Sequence, residues 1–298
     1  MNEDNVRTNS LKAWILASRP KTLTAALVPV IMACALAYHA GCFRWFPAVV
    51  CMVFAALMQI ASNLINDLYD YLKGSDRRED RLGPRRAVTE GWITVRAMRI
   101  GIIAVIVPAC VAGCLLVGQA GLWLVVVGAL CVVFAFLYTT VLSYLGLGDV
   151  LVMVFFGLVP VCATYYIMAG ALPAEVVLCS LASGIVTDTL LTLNNYRDRD
   201  ADRRSGKRTL IVTFGERFGL VFYLLLGVVS CLLALSLLFF GMKAAALLPL
   251  LYLLPHIRTW LRMKAIRSGR ALNRILGLTS RNILIFSLLL SAGIVIGW

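Results

Sequence analysis

A run of about 20 apolar residues is long enough to cross a bilayer as a helix. This chain has nine such runs, at roughly 22–40, 46–65, 98–117, 121–139, 149–169, 175–193, 218–240, 244–261 and 281–297. The expected fold class is therefore all-α, a polytopic membrane bundle of nine transmembrane helices. It is expected to be a single domain over residues 1–298, with two acidic loops at 63–97 and 194–217. Composition agrees: 61% of the residues are hydrophobic and 14% charged, too apolar for an ordinary soluble core. Pro29, Pro160 and Pro255 fall inside runs, where neighbouring helices can satisfy the freed carbonyl. The eighth run is the weakest, because His256 and Arg258 shorten it.

The chain carries 28 Lys and Arg against 15 Asp and Glu, a net charge of +13. In a soluble protein such a surplus suggests nucleic acid; here position decides. All but Arg44 and Lys243 fall in the N-terminal tail or the connections after the second, sixth and eighth runs. These segments share one side of a nine-span chain. By the positive-inside rule, the N-terminus is expected in the cytoplasm and the C-terminus outside. The surplus then marks sidedness. No nucleic-acid and no protein partner is expected; the partner is the lipid bilayer. The polar start, Met1 to Ser10, gives no sign of a cleavable signal peptide. The nine Cys form no Cys-x-x-Cys pair, so they read as small buried hydrophobes.

The acids cluster on the same basic side. The first segment contains Asn63, Asp67 and Asp70, and the second contains Asn194, Asp198 and Asp202. Asn63–Asp67 and Asn194–Asp198 share a spacing of four, which an internal repeat of about 131 residues would produce. If each helix runs past the membrane edge, each trio projects from one face. Asp200 points away. A lone charge-rich loop is ordinarily a solvated surface, but two with matching spacing on one side suggest a site. Oxygen donors of this kind suit Mg²⁺, which keeps waters and shares phosphate ligands. Four clustered carboxylates would repel without cations, and nearby Arg and Lys suit phosphate oxygens. The pattern reads as a Mg²⁺–diphosphate site at the membrane surface. Asp149 and Asp188 lie in or at the edge of runs, where a carboxylate ordinarily has a role. Asp188 is expected to line the same space, because Asp188, Thr192 and Asn195 share a face.

At these residues the sequence resembles the UbiA superfamily of intramembrane aromatic prenyltransferases. The resemblance rests on Arg19-Pro20-Lys21-Thr22-Leu23; Asn66-Asp67 through Gly74-Ser75-Asp76 with Arg81-Leu82-Gly83-Pro84-Arg85; and Asn194-Asn195-Tyr196-Arg197-Asp198 with Asp202, Gly206-Lys207 and Thr209-Leu210. Tyr144-Leu145-Gly146-Leu147-Gly148-Asp149 is a looser match. The second acidic segment is the most specific. Two positions depart from the pattern: Tyr138-Thr139 is followed by Thr140-Val141 rather than Gly-Pro, and Asp149 stands where Glu is usual.

The resemblance is strongest to the branch acting on 1,4-dihydroxy-2-naphthoate in menaquinone biosynthesis. It implies an inner (cytoplasmic) membrane enzyme that moves a polyprenyl group from its diphosphate to the aromatic acceptor with loss of CO₂. It implies Mg²⁺ as cofactor, with Asn63, Asp67, Asp70, Asn194, Asp198 and Asp202 around the metal. Arg19, Lys73, Arg197 and Lys207 are candidate phosphate contacts, Asp149 and Asp188 candidate catalytic acids. Tyr138, Phe155 and Tyr165 are candidate aromatic faces for the prenyl cation. Two other functions compete. One is the same chemistry on another acceptor, such as 4-hydroxybenzoate or homogentisate. The other is a secondary transporter, whose acids would sit near the midplane rather than at one face.

Overall fold

The computed structural model describes residues 6–74 and 82–297. Among them, nine helices are long and apolar enough to span a membrane. They are α1 (Leu11–His39), α2 (Trp45–Leu72), α3 (Val95–Ala120), α4 (Trp123–Leu142), α5 (Gly148–Ala169), α6 (Ala174–Arg204), α7 (Glu216–Phe240), α8 (Lys243–Ile266) and α9 (Leu272–Ile296). Ser75, Asp76, Arg77, Arg78 and Arg81 of the first acidic segment lie outside the described residues.

The helices outrun the apolar windows that reveal them. The second run stops near 65, but α2 continues to Leu72; the sixth stops near 193, but α6 continues to Arg204. Hydropathy sees only the part a bilayer would cover. Backbone hydrogen bonding carries each helix about two to three turns further, into the polar zone that holds the acids.

The bundle closes on itself. α1 packs against α2, α5 and α9, while α6 packs against α5, α7 and α9. In α6, 67% of the apolar window is buried, against 6% in α4. α6 is therefore the axis of the bundle and α4 presents itself to lipid. The axial helix is also polar inside: Ser180, Ser183, Thr187, Asp188, Thr189 and Thr192 are all buried.

Three irregularities shape the interior. α1 breaks at Arg19, which adopts a left-handed φ of 51°, and Pro20 starts the next turn, where its missing N–H costs nothing. α4 ends in a wide turn at Tyr138–Leu142, with Ser143 N–H bonded to Tyr138 O. α5 has a second wide turn at Val154–Leu158. Such π-type turns often mark functional sites. Beside the second, Gly157 and Gly184 let α5 and α6 touch backbone to backbone; a Cβ on Gly157 would lie 2.7 Å from Gly184 Cα.

The connection after α2 folds back onto the basic end. Ala87, Val88, Trp92 and Ile93 bury against Ala13, Ala17, Leu64 and Leu68. The N-terminal tail closes over it, with Asn9 N–H bonded to Trp92 O at 2.7 Å.

Candidate active site

Between α1, α2, α3, α4, α5 and α6 lies a cavity of about 360 Å³. Its walls are apolar and aromatic, with Phe54, Phe134, Tyr138, Phe155 and Phe156 among them. Arg19, Asn63, Asn66 and Asn194 stand in the same wall. Tyr138 and Phe155 belong to the two wide turns. Tyr165, the third aromatic candidate, is buried in the core with Met32 and Phe286 and is absent from the cavity wall.

The two acidic helix ends meet near Tyr144. Lys73, at the end of α2, sits 4.2 Å from the Tyr144 ring centre, and Lys207, after α6, sits 5.4 Å from it. Lys73 also donates to the carbonyls of Thr139, at 3.3 Å, and Thr140. Partial withdrawal from water lowers the Lys73 pKa; Asp70 opposes this and the charge of Lys207 adds to it. Asp202 lies 3.8 Å from Lys207 and within electrostatic reach of Asp198 and Asp70. The backbone locks this junction, with Arg208 N–H bonded to Tyr144 O. Gly146 has a φ of +76°, and its Cα faces Arg208 O so closely that a Cβ would collide.

Each half also pairs a carboxylate with an arginine. Arg86 reaches Asp70 at 2.6 Å. Arg197 grips Asp198 through two bonds, of 2.8 and 2.6 Å. Among the described residues, no three acidic, His or Cys side chains converge closely enough to hold a metal by themselves. A hard cation here would take a few carboxylate oxygens and complete its shell with water and phosphate. That is how Mg²⁺ binds beside phosphorylated substrates, and the all-oxygen donor set suits it.

The structure gives other work to two of the proposed ligands. Asn63 donates to Ser18 O and Thr22 Oγ1, both at 2.9 Å, and accepts from Gln59. Its amide braces the break in α1. Asp67 is 1% exposed, and its oxygens accept the N–H groups of Ala87, at 2.8 Å, and Val88, at 3.0 Å. One turn nearer the basic end, Asn66 stands in the cavity wall, accepts from Thr139 Oγ1 and precedes Asp70 by four. Asn66–Asp70 thus repeats the spacing of Asn194–Asp198.

Asp149 lies at the edge of a span as expected, in the first turn of α5, but Asp188 does not line the cavity. Their carboxyl groups lie close to each other across α5 and α6, Asp188 Oδ1 is buried without a hydrogen-bond partner, and neither residue is in the cavity wall; Thr187, Leu190, Leu191 and Asn194 of α6 are. At 100° per residue, Asp188 is turned off that face.

Comparisons with known proteins bear on the family. A 1,4-dihydroxy-2-naphthoate octaprenyltransferase from Escherichia coli (strain K12) is 38% identical over 214 residues, 69% of this chain and 69% of that protein. One from Haemophilus influenzae is 34% identical over 252 residues, 79% of this chain and 80% of that protein. A UbiA homologue from Archaeoglobus fulgidus, solved bound to GPP and Mg²⁺, shares the fold at a TM-score of 0.66 and 15% identity. The match covers 94% of this chain and 99% of that one. The UbiA prenyltransferase family model matches residues 26–276. A match running unbroken from inside α1 to the start of α9, through both acidic helix ends, decides the assignment: the chain belongs to the UbiA prenyltransferase family.

Proposed function

We propose that this prenyltransferase moves a polyprenyl group from an allylic polyprenyl diphosphate to 1,4-dihydroxy-2-naphthoate, releasing CO₂ and giving demethylmenaquinol. The relatives' activity supports the acceptor and a long donor chain. One observation carries the donor site: two lysines from separate segments lean on one ring, Tyr144, beside carboxylates of both helix ends. Two like charges held together favour an anion between them, and a diphosphate fits.

The allylic C–O bond breaks and negative charge passes to the diphosphate. Lys73 and Lys207 are placed to donate to its oxygens, with Arg19 at the cavity wall. Mg²⁺ bound among Asp70, Asp198 and Asp202, with the Asn66 and Asn194 amides adjoining, would neutralise charge on the leaving group. The prenyl carbon, now cationic, lies among Tyr138, Phe134 and Phe155, whose faces stabilise it and whose bulk keeps water out. The ring carbon bearing the carboxylate attacks it. The new C–C bond forms, the bond to the carboxyl carbon breaks, and its electrons return to the ring as CO₂ leaves. Asp149 and Asp188 lie within electrostatic reach of Tyr138 and outside the cavity wall. The tail extends between helices into lipid.

We place the basic end in the cytoplasm, the C-terminus outside and the enzyme in the inner membrane, from the sidedness of Lys and Arg. The test is product formation. Purified protein is incubated with octaprenyl diphosphate, Mg²⁺ and a panel of aromatic acids. Prenylation of the naphthoate alone is expected. Turnover of 4-hydroxybenzoate instead would move the enzyme to another acceptor, and no product with any acid would refute the proposal.

A further inference from the structure

Asp67 lies in the motif most readily read as metal-binding, yet its geometry gives it another task. It is 1% exposed and spends both oxygens on the N–H groups of Ala87 and Val88. The residue just before, Arg86, makes the 2.6 Å contact with Asp70. Asp67 and Asp70, three apart on α2, thus hold one short stretch, the first by its backbone and the second by its side chain.

The same stretch is tied a second time. Asn273, in the first turn of α9, donates to Leu82 O at 2.7 Å. Its Oδ1 accepts from Arg197 Nη1 at 2.8 Å, and Arg197 in turn grips Asp198. Residues 82–88 therefore form a strap, fastened to α2 by Asp67, to α9 by Asn273 and through Arg197 to α6. The strap brings one arginine against a carboxylate of the first half, and its clasp orients the arginine that holds a carboxylate of the second.

We propose that Asp67 and Asn273 are positioning residues, the two clasps of a strap that aligns the halves of the diphosphate site, and that Asp67 holds no metal. A carboxylate turned toward a metal would abandon two buried N–H groups, which is costly. Asn273 has no counterpart in either acidic segment, so nothing in the motifs singles it out.

The proposal rests on the diphosphate reading above, and its test separates the two. Asp67→Asn, Asn273→Ala, Asn273→Asp and, as comparator, Asp70→Asn are assayed for kcat, for KM of the polyprenyl diphosphate and for the Mg²⁺ concentration giving half-maximal rate. Cleavage by trypsin at Arg85 and Arg86 is followed alongside. Loosening either clasp is expected to raise KM for the diphosphate about tenfold, equivalent to about 1.4 kcal/mol, and to speed tryptic cleavage. The Mg²⁺ requirement is expected to stay near wild type in these variants and to rise in Asp70→Asn. Asn273→Asp keeps the acceptor for Arg197 but loses the donor to Leu82 O, so its cleavage should match that of Asn273→Ala. A raised Mg²⁺ requirement in Asp67→Asn with unchanged cleavage would overturn the proposal, and so would wild-type KM and cleavage in Asn273→Ala. If Asp67→Asn does not fold, the Asn273 variants carry the test. Tryptic cleavage reports on the strap even if wild type transfers no prenyl group, an outcome that would instead refute the function.

Discussion

Replacing Gly157 by Ala drives a methyl group into the contact between α5 and α6. The new Cβ would sit 2.5 Å from Ser180 O and 2.7 Å from Gly184 Cα. Carbon atoms pack best at about 3.5–4.0 Å, so the backbones must part by about 1 Å. Neither neighbour is a side-chain tip that can swing aside. Overpacking of this kind costs about 1–3 kcal/mol, which lowers Tm by roughly 2–12 °C. The effect reaches the cavity, because Gly157 lies in the wide turn that carries Phe155 and Phe156 into its wall. A shift of about 1 Å at reacting groups can cost about 100-fold in rate. The assay pairs thermal unfolding in detergent with turnover. Gly184→Ala should behave alike, its Cβ meeting Met153 O at 2.8 Å, and the double variant should lose less than the two losses added, since one parting of the helices serves both. Gly118→Ala is the control: its Cβ meets nothing within 4 Å, so it should leave Tm unchanged or raise it. A Gly157→Ala protein with wild-type Tm and turnover would refute the close packing and the link to the cavity.

Lys73 titrates below the ordinary lysine range, so it loses its charge earlier as pH rises. KM for the diphosphate should climb on the alkaline side. Lys73→Arg should flatten that climb, because guanidinium stays charged; an unchanged profile would remove Lys73 from the phosphate site. Gly227→Ala should destabilise by about 1–3 kcal/mol in thermal unfolding, because its Cβ would strike the His256 ring. That ring cannot yield: Tyr252 and Leu224 hold its two nitrogens at 2.9 and 3.3 Å, and Tyr223 and Tyr252 stack on it at 5.0 Å. Asn66→Ala should lower kcat with Mg²⁺ at ordinary levels, with partial recovery at high Mg²⁺; full activity at low Mg²⁺ would place Asn66 outside the site.

Much of this architecture can be read from sequence because the bilayer leaves a chain so few choices. Nine apolar runs and the position of the basic residues were enough to find the helices. What hydropathy missed was the extension of α2 and α6 beyond their apolar windows, where hydrogen bonding rather than burial carries the helix on. The site was half legible. Asn63–Asp67 and Asn66–Asp70 share a spacing of four and differ by about 60° around α2. Spacing alone therefore cannot tell which pair already has its polar atoms engaged elsewhere; the neighbours at Ser18, Thr22, Ala87 and Val88 distinguish them. Asp188 was legible as a buried acid but not as a neighbour of Asp149, because their proximity depends on how α5 and α6 rotate against each other. Asn273 was invisible for a simpler reason: it precedes the ninth apolar run and touches the site through Arg197 and Leu82.

Carboxyl-labelled 1,4-dihydroxy-2-naphthoate tests the central claim most directly. Purified protein in lipid vesicles is given octaprenyl diphosphate and Mg²⁺, and labelled CO₂ is measured beside the prenylated product. The account predicts equal amounts of both in wild type, neither without Mg²⁺, and near-complete loss of both in Asp70→Asn and in Asp198→Asn. Undiminished Mg²⁺-dependent transfer in those two variants, or no labelled CO₂ from wild type, would contradict it.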